Sequence, residues 1–305
     1  MGAICESREG IAGDWPKAQA NHPSGDGSED GQAMPLVTVL TAVHRGGAGY
    51  LAEAARSAMA QDLPEGWELE WIVQEDGEPS CEVRDCLPVD DRLRLAGNGE
   101  RLGPSATRNI GLSRARGKYV QNLDADDILL PGALLTIINA IEDRPQVHWA
   151  FGQADDLMPD GSRRSFPPWI PPFGLLLAGR LNEWVVEHEG NWPIPCAGIL
   201  CRTATLRAIG GWVALPLGGD IAMIAAMSQV TDGWQDAATT WLYRQHPEQI
   251  SRHHLRPEWS EVARRVALQR AQAARLTSLD LSGVNVDPEP IAHVGEPMKT
   301  PADLS

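Results

Sequence analysis

From "MPLVTVLTAV" (34–43) to about residue 160, short β-branched runs alternate with longer helix-patterned ones, and that alternation leaves few folds open. The first run suits a strand buried on both faces. After it, "YLAEAARSAMAQ" places Leu51, Ala54, Ala55, Ala58 and Met59 at helical spacing. "ELEWIVQED" reads as a second strand ending in acids, and "RLRLAG" as a short third. "ATRNIGLSRARG" reads as a helix, "KYVQNL" as a fourth strand, and "PGALLTIINAIED" as a helix with Pro131 at its opening, where a missing N–H costs nothing. "VHWAFGQADDL" is a further strand. Strand–helix alternation of this kind predicts an α/β domain with a mainly parallel sheet.

Beyond Asp160 the texture changes. "FPPWIPPFG" is Pro-rich, "LLLAGRLNEWVVEHEG" reads as helical, and "NWPIPCAGILCRTATLRAIGGW" mixes loop, strand and helix. "GGDIAMIAAMSQV" is a helix opening near an aspartate, and "ATTWLYRQHPEQISRH" a strand leading into a loop. The resulting division is a disordered arm over 1–33, a domain over 34–252 with halves at 34–160 and 161–252, and a C-terminal helix and loose tail over 253–305. The arm is polar and lacks an apolar period. The long helix, with Trp259, Val262, Val266 and Ala267 on one face, can meet either its own domain or a second copy of the chain, as a homodimer.

With 26 basic against 41 acidic residues, the net charge of −15 argues against nonspecific nucleic-acid binding. No apolar run is long enough to span a bilayer, which takes about 18–20 residues, and the opening residues lack a secretory pattern. A cytoplasmic protein is expected. Five cysteines without a CxxC pair read as free thiols rather than a zinc site.

The sharpest local feature is "LDADD", where Asp124, Asp126 and Asp127 crowd together at a strand's end. Carboxylates this close raise one another's pKa unless positive charge lies among them. One reading of the first half is a dinucleotide-binding domain: "GAGYLA" (47–52) fits G-x-G-x-x-[GA], and the second strand ends at Glu75 and Asp76. It would make the protein an NAD(P)-dependent oxidoreductase, and it leaves the aspartates unexplained. The other is a nucleotide-sugar site in the crevice beyond the carboxyl ends of parallel strands. There Asp76 can accept an N–H of a uracil-like base, with Thr41, Val43 and Arg45 at the end of the first strand lining the same crevice. Asp124 and Asp126, two apart in extended chain, share a face. Their hard oxygens suit Mn²⁺ or Mg²⁺ carrying a diphosphate.

The strand "LVTVLTAVHR", "QEDGEPS", the central "NGERLGPSATRNIGLSRARGKYVQNLDADDILLPGAL", then "AIGGW", "GGD" and "LYRQHPEQIS" together resemble a family-2 glycosyltransferase of the GT-A fold, over about Leu36 to Arg252. The resemblance implies a Rossmann-like nucleotide-binding half, an acceptor-binding half, and metal-dependent, inverting transfer of the hexosyltransferase class from a nucleotide-diphosphate sugar to a small-molecule or glycan acceptor. It places Asp76 on the base, Arg108 near the nucleotide, Asp124 on ribose or metal, Asp126 as the main metal ligand of a D-x-D pattern, and Asp220 as catalytic base. His246 is a further candidate metal ligand. Trp192 falls where the family presents its acceptor wall, and Trp169 lies in a loop suited to a lid. Two departures stand out: Gly219-Asp220 where Glu-Asp is usual, and "TAVHR" where a Pro-Thr-Tyr-Asn type of ending is usual. A non-catalytic sugar-nucleotide-binding protein is the remaining alternative. Asp220 also suits an N-cap, and a carboxylate at a helix N-terminus is expected to keep a low pKa.

Overall fold

A computed structural model describes residues 34–165, 170, 172–190, 192–194, 196–249 and 256–281. The expected N-terminal arm, the Trp169 loop position and the end of the tail lie outside the described residues. The described residues from Pro35 onward form one compact unit.

The first strand, β1 (Leu36–Val43), pairs in parallel with β2 (Glu68–Glu75) on one side and β4 (Tyr119–Asn122) on the other. β3 (Leu93–Gly97) extends this parallel block from β2. The crossovers carry α1 (Leu51–Met59), the short α2 (Cys81–Arg84) and α3 (Pro104–Arg114). Alternate side chains of β1 point into two different cores. Val37 and Val39 join Trp71, Leu51, Ala54 and the α4 (Ala133–Glu142) residues Leu134, Ile137 and Ile141 on one face. On the other face Leu40 joins Ile72, Leu112 and Val120. Burial on both faces explains why these strands read as continuous apolar runs.

The expectation of a mainly parallel sheet holds for this first block and not for the whole. β4 is followed laterally by β9 (Ile199–Arg202), which runs antiparallel to it. β9 also runs antiparallel to β6 (Val147–Leu157), which pairs in parallel with β10 (Asp232–Arg244). The short β5 (Ile128–Leu129) closes the order β3-β2-β1-β4-β9-β6-β10-β5 in a ten-stranded sheet. β7 (Arg163–Ser165) and β8 (Gly174–Leu176) attach to β6 and β10. The remaining helices are α5 (Arg180–Glu187), α6 (Thr203–Ala208), α7 (Gly219–Val230) and α8 (Arg256–Leu276).

Several local expectations change. Pro131 precedes α4 rather than opening it, because Gly132 takes the left-handed N-cap position at φ 74°. The stretch around Leu175 is a strand edge, and helix begins only at Arg180. Asp155 and Asp156 lie within β6, inside the strand read from "VHWAFGQADDL"; Asp156 is buried, paired with Arg164 and accepting from Gln245 at 3.0 Å. On α8 the buried face is Ala263, Ala267 and Ala271, while Val262 is exposed. These alanines recur every fourth residue and meet Ala222 and Ala225 of α7, so the helix packs on its own domain through methyl groups. Cys86, Cys196 and Cys201 are free thiols as expected, whereas Cys81 is disulfide-bonded.

Candidate active site

The parallel strands end on one edge, and there the sheet places its polar groups. Asp124 follows β4 directly. Its Oδ1 accepts from Arg108 Nη2 at 2.6 Å and from Asn122 Nδ2 at 3.1 Å. Arg108 comes from the middle of α3 and is 12% exposed, while its partner Asp124 remains part-exposed. Beside a carboxylate this close, its guanidinium is held more firmly charged than usual despite burial, with Asp220 contributing in the same direction. Arg108 is thus bonded to Asp124 and lies within electrostatic reach of Asp220.

Asp126 lies one turn further along the acidic loop. Burial, and then the Asp124 charge, push its carboxyl above the ordinary range, with His246 opposing. His246, just beyond β10, places Nε2 2.9 Å from Asp126 Oδ2. Asp127 is buried, accepts the Arg244 backbone N–H at 2.9 Å, and leaves Oδ2 without a partner. Burial and the two neighbouring aspartates raise its pKa well above the usual value. Arg108 Nε and Asn122 Oδ1 are also buried and unpartnered. Three orphaned polar atoms around one loop mark a site short of partners, since buried polar groups are otherwise almost always satisfied.

Asp220 is the second residue of α7. The N-cap is Gly218, at φ 73°, so the capping expectation fails. The low pKa expected at a helix start fails as well: burial raises Asp220, and Arg108 only partly offsets it. Gly219 explains the missing neighbouring carboxylate. A Cβ there would stand 2.1 Å from Val213 O and 2.2 Å from Ser105 Oγ, so no side chain fits.

Asp76 ends β2 and is 7% exposed. Its Oδ1 accepts from the backbone N–H groups of Leu102 at 2.6 Å and Gly103 at 3.1 Å, which ties the β3–α3 loop to the sheet edge. Glu75, the other acid of the dinucleotide reading, is buried and bonded to Ser80 at 2.6 Å and 2.9 Å. Both acids are thus engaged by protein. Thr41 is wholly buried and accepts from Trp71 Nε1 at 3.0 Å, and Val43 sits in the core beneath α1. Arg45 is exposed and paired with Glu82. None of these three side chains joins the acidic group. Trp192 wedges between two apolar clusters with its indole N–H buried and unpartnered.

Sequence reading passed over His44, the residue after β1. Burial lowers its pKa, and it feels Arg101, Asp76 and Asp126, which places it in the same crevice. Its position in "AVHR" was the available signal. Cys196, fully buried and pushed up to about 12 by burial, feels Arg108, Asp220 and Asp124. No spacing in the sequence announces that neighbourhood.

A parallel nucleotide-binding block continued by an antiparallel flank, with an acidic loop at their junction, is the GT-A architecture. The chain belongs to glycosyltransferase family 2: the model "Glycosyl transferase family 2" matches residues 38–192, half of its length. An uncharacterized protein of Mycobacterium tuberculosis is 35% identical over 130 residues, covering 41% of this chain and 39% of that protein. A GalNAc(5)-diNAcBac-PP-undecaprenol β-1,3-glucosyltransferase of Campylobacter jejuni is 36% identical over 92 residues, 29% of each chain. The chain thus spans well under two thirds of these relatives. The structure of S. aureus TarS 1-349 in complex with UDP-GlcNAc shares the fold at a TM-score of 0.58 and 18% identity, covering 76% of this chain and 66% of that one. No helix among the described residues is long and apolar enough to cross a membrane.

Proposed function

We propose that this protein transfers a sugar from a nucleoside-diphosphate donor, a UDP-sugar, to an acceptor hydroxyl with inversion at the anomeric carbon. The observation that carries the reading is Arg108, buried between Asp124, 2.6 Å away, and the field of Asp220. It couples Asp124 electrostatically to Asp220, the two carboxylates this reading assigns to the leaving-group and attacking sides. The UDP-GlcNAc bound by TarS on the same fold supports the donor class.

The acidic loop suits a divalent cation, Mn²⁺ or Mg²⁺, which Asp126 would hold, with Asp124 and His246 as candidate further ligands. Fewer than three His, Cys, Asp or Glu side chains converge among the described residues, so no ready-made cage exists. Such ions bind through one or two carboxylates and fill their remaining positions with water and substrate phosphate. Burial and the neighbouring carboxylates raise Asp126 and Asp127, and a cation among them would offset both, which supports this reading. When bound, the cation offsets charge developing on the departing diphosphate.

The chain's own residues do the rest. The acceptor oxygen forms its bond to the anomeric carbon as the bond to the diphosphate oxygen breaks. Asp220 takes the proton released by the attacking hydroxyl. Burial raises its pKa and makes it a stronger base than a solvated aspartate, and the Arg108 charge opposes that rise. Arg108 also fixes Asp124 in one orientation, and Asp76 fixes the loop that closes the base side of the crevice. Trp192, packed at the junction on the acceptor flank, offers a wall rather than a reacting group.

Replacing the base tests the reading. Asp220→Asn is expected to lower kcat about 10²–10⁴-fold while the Kd for UDP with Mn²⁺, measured by calorimetry, stays within twofold. Unchanged turnover removes Asp220 as the base. Titration with UDP, GDP and dTDP, each with and without Mn²⁺, assigns the nucleotide; dinucleotide binding that ignores the cation overturns the reading.

A further inference from the structure

Tyr50 ends the 3₁₀ turn Arg45–Tyr50 and leads into α1, far in sequence from the acidic loop. Its ring is nonetheless shared by two groups from the end of β10. The Arg244 guanidinium lies 4.4 Å from the ring centroid, and the His246 imidazole lies 4.9 Å from it at a 50° tilt. Both groups act on the acidic loop. Arg244 Nε donates to the Asp126 carbonyl at 2.8 Å, and its backbone N–H donates to Asp127. His246 Nε2 meets Asp126 Oδ2 at 2.9 Å. Glu53, one turn along α1, takes Arg244 Nη2 at 2.9 Å. The contacts close a ring: Tyr50, Arg244, the Asp126 backbone, the Asp126 carboxylate, His246, and Tyr50 again.

We infer that Tyr50 is a positioning residue for the cation site, its aromatic face fixing Arg244 and His246 so that Asp126 and the imidazole converge. Arg and His are long or rotatable side chains, and each must be confined before it can present a ligand or hold one in place. The electron-rich ring face attracts a guanidinium, and the same ring limits the imidazole to orientations that keep Nε2 toward Asp126. Arg244 is only 12% exposed, so the platform acts where water competes little. Its phenolic hydroxyl has no part in the ring of contacts, which separates this role from that of a hydrogen-bonding tyrosine. The inference rests on the reading of the acidic loop as a cation site.

The test is calorimetric titration of Mn²⁺ into the full chain in the presence of saturating UDP, with metal-free UDP affinity and the thermal midpoint measured alongside. Tyr50→Phe keeps the ring and is expected to match wild type. Tyr50→Leu keeps apolar bulk without the aromatic face and is expected to weaken Mn²⁺ binding about tenfold or more, as loss of a partner behind a metal ligand commonly does. Metal-free UDP affinity should be unchanged in both. Glu53→Gln, which leaves the ring intact, tests the second tether and should weaken Mn²⁺ binding by a smaller factor than Tyr50→Leu. If wild type binds Mn²⁺ and Tyr50→Leu binds it equally well, the positioning role is wrong and the cation site stands. If Tyr50→Phe loses affinity as Leu does, the ring-face account is wrong. If wild type with UDP binds no Mn²⁺, the cation site itself fails, and this inference with it.

Discussion

Arg108 shows how one side chain can set the behaviour of two acids at once. It bonds Asp124 at 2.6 Å and lowers the pKa of Asp220, which burial raises. A general base works only when ionised, so with Asp220 as the proposed base, activity is expected to fall as pH drops through its pKa, with the acid limb of the kcat profile above that of an ordinary carboxylate. Removing the positive charge raises that pKa further. Arg108→Met is therefore expected to move the acid limb of kcat to higher pH and to weaken UDP binding about tenfold, read from pH–rate profiles and calorimetry. An unmoved limb dissociates Arg108 from Asp220. At this scale the sequence was most legible where residues are close in the chain, as in the Asp124–Asp126 pair. Thr41 and Val43 turn into the core and Arg45 toward solvent, because a strand's end points successive side chains in different directions, which sequence does not display. Tyr50 and Arg244 were illegible as a pair because only the folded sheet brings α1 to the end of β10.

At the level of elements, the junction leading into α7 carries the tightest requirement. Gly218 needs its left-handed φ of 73°, and a Cβ on it would meet Ala263 at 2.5 Å. Gly219 faces backbone, Val213 O at 2.1 Å, which cannot yield as a flexible side chain would. Gly219→Ala is expected to destabilise the protein by about 1–3 kcal/mol, the usual cost of overpacking, and to depress turnover by displacing Asp220. A thermal midpoint and turnover equal to wild type would show that the helix start can shift. The family's usual Glu at this position is thus excluded here by space, a point that "GGD" alone did not disclose. Helices and strands of the first half were readable from their periods, whereas β5, β8 and β9 were not, being too short to show one.

The molecule as a whole carries a titratable group unrelated to catalysis. His148, near the start of β6, is 3% exposed and bonds Thr205 at 2.7 Å. Burial, with Arg202 adding to it, lowers its pKa from 6.5 to about 4. The unfolded chain binds the proton first, so stability is complete above pH 6.5 and declines as pH falls toward 4. His148→Gln should remove that decline, on the order of 1–3 kcal/mol, measured as thermal midpoint against pH; an unaltered slope assigns acid sensitivity to other groups. The mixed character of the sheet was the largest feature hidden from sequence. A run that pairs antiparallel reads the same as one that pairs parallel, and β9 enters between β4 and β6 from far along the chain.

The alanine ladder of α8 has a final bearing on chemistry. Methyl groups at Ala263, Ala267 and Ala271 set the gap to the helix that carries Asp220, and they leave no slack between the two cylinders. The last helix of the described residues thereby works as a spacer, setting from the periphery where the helix that carries Asp220 can lie.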